Sequence, residues 1–201
     1  MTEHRRIGPR LLVSLRRLLV AALTVAWLAA FSRGVLADDP CAAFAWNVKQ
    51  ERALFAGPAR EEHAGKTAAS APPIVVNRLY RLALAPQESV SFAAQPGKKA
   101  LTDGAYAGLV KLHLARGGLY RVSLSQPFWV DLVQDGHLVA SSDFTGARGC
   151  NAPHKIVQYQ LAPGDVVLQL SADVSPQVEL AVTRAPQAAA AAPEPRSDAE
   201  H

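Results

Sequence analysis

The sequence predicts an all-β fold, a single-domain β-sandwich or jelly roll of about nine strands with a short helix in front of it. Three observations lead there. Apolar residues recur at every second position in a succession of short rows: Tyr80, Leu82, Leu84; Val110, Leu112, Leu114; Tyr120, Val122, Leu124; Phe128, Val130, Leu132; Val157, Tyr159, Leu161; Val166, Leu168, Leu170; and Val178, Leu180, Val182. That period puts one face of each segment into a core and the other toward solvent or a second layer. The rows are separated by turn chemistry, "PGKK", "RGG", "SQP", "QDGH" and "APGD", at intervals of roughly 8 to 12 residues. The 147 residues from Asp38 to Arg184 are enough for one core and hardly for two.

The first 37 residues read as a signal peptide. A basic start, "MTEHRRIGPRLLVSLRR", leads into an apolar run from Leu18 to Phe31, fourteen residues long, shorter than the roughly 20 of a spanning helix. Small residues in "VLA" before Asp38 place the cleavage after Ala37. An uncleaved anchor is the alternative, and a lipid on Cys41 is disfavoured by "ADDP" in front of the "C". Cleavage removes six of the 21 Lys and Arg and one of the 17 Asp and Glu, which leaves 15 and 16, a formal net of −1. The basic character belongs to the leader, so it argues for no nucleic-acid partner, and after cleavage no stable membrane insertion is expected.

Residues 38–73 read as a short helix and a connection. Asn47 is placed to cap the helix with Gln50 at its third position, and Gly57-Pro58 to stop it. Ala53, Leu54 and Phe55, with Trp46 before the cap, give it an apolar side that must pack on something. "AREEHAGKTAASAPP" carries no apolar periodicity and reads as an exposed connection. The sandwich spans residues 74–184, with further short strands expected at Val90–Phe92 and after Gly136. The Ala/Pro-rich residues 185–201 read as a disordered tail.

Two cysteines in an exported chain, Cys41 and Cys150, are expected to pair, since thiols outside the cytoplasm are driven to disulfides. The competing reading takes Cys150 and His154 as metal ligands or as a nucleophile and its base. A zinc site needs a second close pair of ligands, and a reactive thiolate needs a free cysteine; the sequence offers neither.

"GGLYRVSLSQPFWVDLVQDGHLV" resembles the pre-peptidase C-terminal type of exported jelly-roll domain, in which a G-x-Y-x-V-x-L strand precedes a strand carrying an Asp. The resemblance covers Gly118 to Leu138, extends to the two strands from Lys155 to Leu170, and implies a binding or accessory module. The set "CAAFAWNVKQERALFA", "PGKKALTDGAYAGLVKL" and "FWVDLVQDG…GCNAPHKIVQ" is also similar to a family of small exported bacterial proteins without an assigned activity. A dioxygenase name is attached to some of that family. A cupin-like iron site needs two histidines and a carboxylate in an H-x-H-like cluster, whereas His63, His113, His137, His154 and His201 are isolated along the sequence.

Candidate binding residues lie on the outward rows. Trp129 and Asp131 share a face of one strand, a pairing that suits a saccharide or peptide platform, with Lys111, His113 and Arg121 expected to line the same side. In the competing reading Trp129 is packed beneath the helix or a loop. "DFTGARGCN", with Asp143 and Arg148 and followed by His154, reads as a long polar loop that a disulfide would hold rigid. No G-x-S-x-G, phosphate loop or paired-carboxylate pattern is present, so no catalytic residue, metal ligand or cofactor is assigned. The expected function is a periplasmic or secreted, non-catalytic binding or accessory module for a protein or a saccharide. The alternatives are a cupin-like non-haem iron dioxygenase and a structural component of an envelope assembly tethered by the tail.

Overall fold

A computed structural model describes residues 39–97 and 103–186. The expected signal peptide, part of the "PGKK" turn and most of the expected tail lie outside the described residues. Among the described residues one α-helix, α1 (Lys49–Phe55), is followed by twelve strands: β1 (Arg60–His63), β2 (Pro73–Ile74), β3 (Leu79–Ala83), β4 (Ala85–Pro86), β5 (Tyr106–Leu114), β6 (Gly118–Leu124), β7 (Trp129–Gln134), β8 (His137–Val139), β9 (Ser141–Gly146), β10 (Lys155–Leu161), β11 (Gly164–Asp173) and β12 (Gln177–Arg184). They form two six-stranded sheets. The first has the order β1-β3-β12-β6-β10-β9; the second is β2-β5-β11-β7-β8, with β4 also on β5. The fold is an all-β sandwich with one short helix.

The alternating rows build the core. Val110, Leu112 and Leu114 from β5, Val166, Leu168 and Leu170 from β11, and Val130 and Leu132 from β7 face Tyr120, Val122, Leu124, Val157, Tyr159, Val178, Leu180 and Val182 of the first sheet in one buried cluster. Residues paired across a ladder share a face, so each sheet turns a continuous apolar surface inward. The β7–β8 hairpin closes through Asp135 and Gly136, both at positive φ (53° and 78°), the geometry a tight two-residue hairpin requires.

Four strands are absent from the sequence expectation and one expected strand is not formed. Val90–Phe92 is not a strand: Gln87–Ser89 form a 3-10 turn, the Val90 N–H closes on the Gln87 carbonyl, and the segment then crosses the second sheet. β1 arises within the expected connection. Its sequence, Arg-Glu-Glu-His, carries no apolar row because it pairs parallel to β3 at the sheet edge, where charge is the usual guard against further pairing. Arg81 on β3 is clamped there between Glu61 at 2.6 Å and Glu179 at 2.7 Å. β9 occupies much of the expected polar loop "DFTGARGCN"; it too is an edge strand, paired among the described residues to β10 alone. β2 and β4 are two-residue contacts on β5, too short to leave a period.

The N-terminal segment lies across the outer face of the first sheet. Val48 is the N-cap, one residue later than expected; Asn47 still contributes, its Oδ1 accepting from the Lys49 N–H at 3.0 Å. Glu51 therefore takes the third helical position expected for Gln50. Phe55 packs on Leu79 and Ala181, which supplies the contact that the helix's apolar side demands. Cys41 and Cys150 form a disulfide across 109 residues of sequence, and in the chain-entropy view such a ring is worth about 4–5 kcal/mol.

Candidate functional site

The sandwich is open at one corner. β8 pairs with β7 only along Leu132–Gln134, and at Ala140 the chain leaves the second sheet to enter the first as β9. The Trp129–Asp131 half of β7 therefore has β11 on one side and, among the described residues, no strand on the other. A cavity of about 380 Å³ occupies this corner, within the size range of small-ligand and side-chain pockets. Val130, Val139, Val157 and Tyr159 form its apolar lining, and Trp129, Asp131, Gly97, Ser141 and Lys155 supply its polar groups.

Phe144 marks the opening. It pairs with Val157, whose side chain lies in the core, so Phe144 faces the same way. Yet it is 71 % exposed, because the second sheet stops short of it. Leu138, 42 % exposed, stands on the opposite rim. Phe144 thus lies on the core-facing side of its strand, whereas Leu138 pairs with Val133 and lies on the outer face of the second sheet. Two apolar side chains left exposed by the described residues at the mouth of a cavity are what a docking patch presents.

The polar groups of the pocket are largely engaged with one another. Asp131 is buried, and both of its oxygens accept: Oδ1 from the Trp129 indole N–H at 2.9 Å, Oδ2 from the Gly97 N–H at 3.0 Å. Lys155 donates to the Phe128 carbonyl at 2.8 Å, with its ammonium 5.7 Å from the centre of the Trp129 ring. The Tyr159 hydroxyl donates to the Val130 carbonyl at 2.8 Å. These side chains satisfy carbonyls of β7 and of the residue just before it that a neighbouring strand would otherwise have taken.

Burial, and secondarily the Asp131 charge, raises the Tyr159 phenol well above the ordinary value near 10. A group whose folded pKa is raised contributes stability that is present below the unfolded pKa and is lost as pH climbs beyond it. The free energy of unfolding should therefore fall above pH ~10 as the unfolded state gains the phenolate. In Tyr159→Phe that fall should be shallower, and the neutral-pH stability lower by about 1 kcal/mol through the lost hydrogen bond. Urea titrations of both proteins from pH 8 upward measure this; parallel curves would contradict it.

The expected site residues are distributed over three places. Trp129 and Asp131 stand together on the outer face of the second sheet, and what lies over them is the segment ending at Gly97, not the N-terminal helix: the Gln169 carboxamide next to Asp131 holds Ala93 and Ala94. Lys111 and His113 lie on the same face but across β11, away from the pocket, and His113 Nδ1 is 2.7 Å from the Asp165 carboxylate. Arg121 belongs to the other sheet. It is buried under α1, where it bonds Gln158, the Asn47 carbonyl and Glu51, and so cannot line the Trp129 side. Asp143 is exposed on β9 and accepts from the Phe144 N–H, and Arg148 is exposed in the loop beyond. His154 Nδ1 lies 3.2 Å from the Cys150 carbonyl, and Cys150 Sγ is bonded to Cys41, so the two do not form a nucleophile and base. Among the described residues no three His, Cys, Asp or Glu side chains are grouped as metal ligands, and no helix is long and apolar enough to cross a membrane.

Phe144, Leu138, Lys155 and Tyr159 are pocket residues that no sequence pattern marks as a site. Phe144 left a trace, as the lone aromatic in the polar stretch "SSDFTGARG". Tyr159 reads as one more member of a core row, which it also is.

No protein-family model matches the chain, and no curated protein does. Among solved structures the chain is similar to the pre-peptidase C-terminal domain of a collagenase from Bacillus anthracis, over 63% of this chain and 99% of that one, at 13% sequence identity and a TM-score of 0.32.

Proposed function

We propose that the chain is a non-catalytic binding module that works outside the cytoplasm and receives an apolar side chain of a partner protein in the pocket between β7 and β9. The observation that carries this reading is the uncovered pair Phe144 and Leu138 at the mouth of an apolar cavity. A protein is favoured over a saccharide because sugar recognition needs several directional polar groups free to meet hydroxyls. The one carboxylate here already accepts two N–H donors. The leader-like N-terminal sequence and the disulfide support a location in the periplasm or beyond it.

A phage-displayed random peptide library and a glycan array, each presented to the disulfide-intact chain, test the reading. Peptides that share an aromatic or branched aliphatic residue should be recovered, and their affinity should drop at least about tenfold in Phe144→Ser. Because Phe144 is mostly exposed, the same substitution should change folding stability by no more than about 0.5 kcal/mol. Peptides that bind the variant as well as the parent, or glycans that compete for the pocket, would overturn it.

A further inference from the structure

We propose that the Cys41–Cys150 disulfide holds the pocket wall in place, so that its redox state controls the pocket through β9. As regulation of ligand binding this rests on the function proposed above; as a statement about β9 it stands on the strand's own construction. Among the described residues β9 pairs only with β10, its register slips at Gln158/Tyr159, and of its six residues Thr145 alone is buried. A strand with so little buried apolar surface belongs to the low-stability end of a fold. Its remaining anchors come from the N-terminal segment. The Thr145 hydroxyl accepts from the Ala45 N–H at 3.0 Å, and Cys150, four residues past the end of the strand, is bonded to Cys41. Thr145 faces this segment, so Phe144 next to it faces the cavity. The same short strand is thus clamped on one face and forms the pocket wall with the other.

Cys150 is buried whereas Cys41 is half-buried, which makes Cys41 the sulfur open to attack by a dithiol. Reduction breaks the Sγ–Sγ bond, delivers two electrons and two protons to leave one thiol on each residue, and closes the dithiol to its own disulfide. The Cys41–Ala45 stretch then keeps no covalent tie to the β9–β10 loop, and the edge strand is left with its backbone pairing to β10 and the single Ala45–Thr145 hydrogen bond.

Amide hydrogen exchange on the full exported chain, oxidised and after reduction by dithiothreitol, tests this without any ligand. Exchange in Ser141–Gly146 should accelerate on reduction by at least about tenfold more than exchange in β5, β11 and β12, whose change reports the loss of the ring's contribution to global stability. Thr145→Val, which keeps the disulfide and removes the Ala45 bond, should accelerate the same segment alone. Unchanged β9 protection in either case overturns the proposal. So does a uniform acceleration of all strands on reduction, which would make the bond a global staple. Since no binding is measured, a negative result here leaves the peptide test untouched, and a failed peptide test leaves the coupling of β9 to the disulfide standing.

Discussion

Replacing Glu51 by alanine is expected to destabilise the domain by about 3–5 kcal/mol, the usual consequence of leaving a buried charge without its partner. Glu51 is 1 % exposed, on the face of α1 that lies against the first sheet. Its Oε1 accepts from the Thr183 hydroxyl at 2.8 Å and from Arg121 Nη1 at 3.3 Å. Arg121 is itself buried, and its Nε donates to Gln158, its Nη1 to the Asn47 carbonyl, while the guanidinium lies 5.1 Å from the centre of the Trp46 ring. Without Glu51 that cation keeps neutral acceptors only, in a largely buried place. Glu51→Gln retains an acceptor of the same shape and should lose less. Glu51→Leu combined with Arg121→Met removes both charges and should recover most of the loss, since an apolar pair of similar volume is often as stable as a buried ion pair. Urea unfolding of the parent and the three variants with the disulfide intact measures these differences. A single-variant loss below about 1 kcal/mol would mean that water reaches the cluster and that the pair behaves as a surface bridge.

This cluster also shows where the sequence stops being legible. A glutamate in a short amphipathic helix reads as a solvent residue, and Arg121 alternates with core residues in a way that reads as a solvated row. Nothing in either local pattern says that the two rows will be pressed together. The sandwich itself was legible, because seven apolar rows at period two leave few other ways to bury them, and every one of those rows entered the core or its margin. Edge strands escaped because their register is set by a neighbour rather than by their own apolar content: Arg60–His63 and Ser141–Gly146 hold almost no buried apolar side chain. Val90 and Phe92 misled for the converse reason, since one alternation is too short to distinguish a strand from a crossing loop. The same limit applies to the pocket. Trp129 and Asp131 can be placed on one face from parity alone, but the cavity beside them depends on where β8 ends and β9 changes sheets, a long-range fact that no window of sequence contains.

Phe128→Ala should have an effect of the same size, about 3–5 kcal/mol, for a different reason. Phe128 is fully buried and sits in the central cluster immediately before β7, where the "SQP" turn delivers the chain into the second sheet. Truncation removes the ring from the core and leaves a void that two hydrogen-bonded sheets cannot collapse to fill. Phe128→Leu keeps most of the volume and should cost less than about 1.5 kcal/mol. The position also reports on the pocket: the Phe128 carbonyl fixes Lys155, and Trp129 and Val130 follow directly in the chain. A void behind these residues lets the floor of the cavity move, so Phe128→Ala should weaken the peptides that Phe144→Ser weakens, whereas Phe128→Leu should not. Glu51→Ala, which acts on the outer face of the other sheet, should leave those peptides bound under conditions where the variant is folded. If Phe128→Ala and Glu51→Ala weakened binding equally, the loss would follow stability alone, and the corner between β7 and β9 would lose its claim to be the place where the ligand sits.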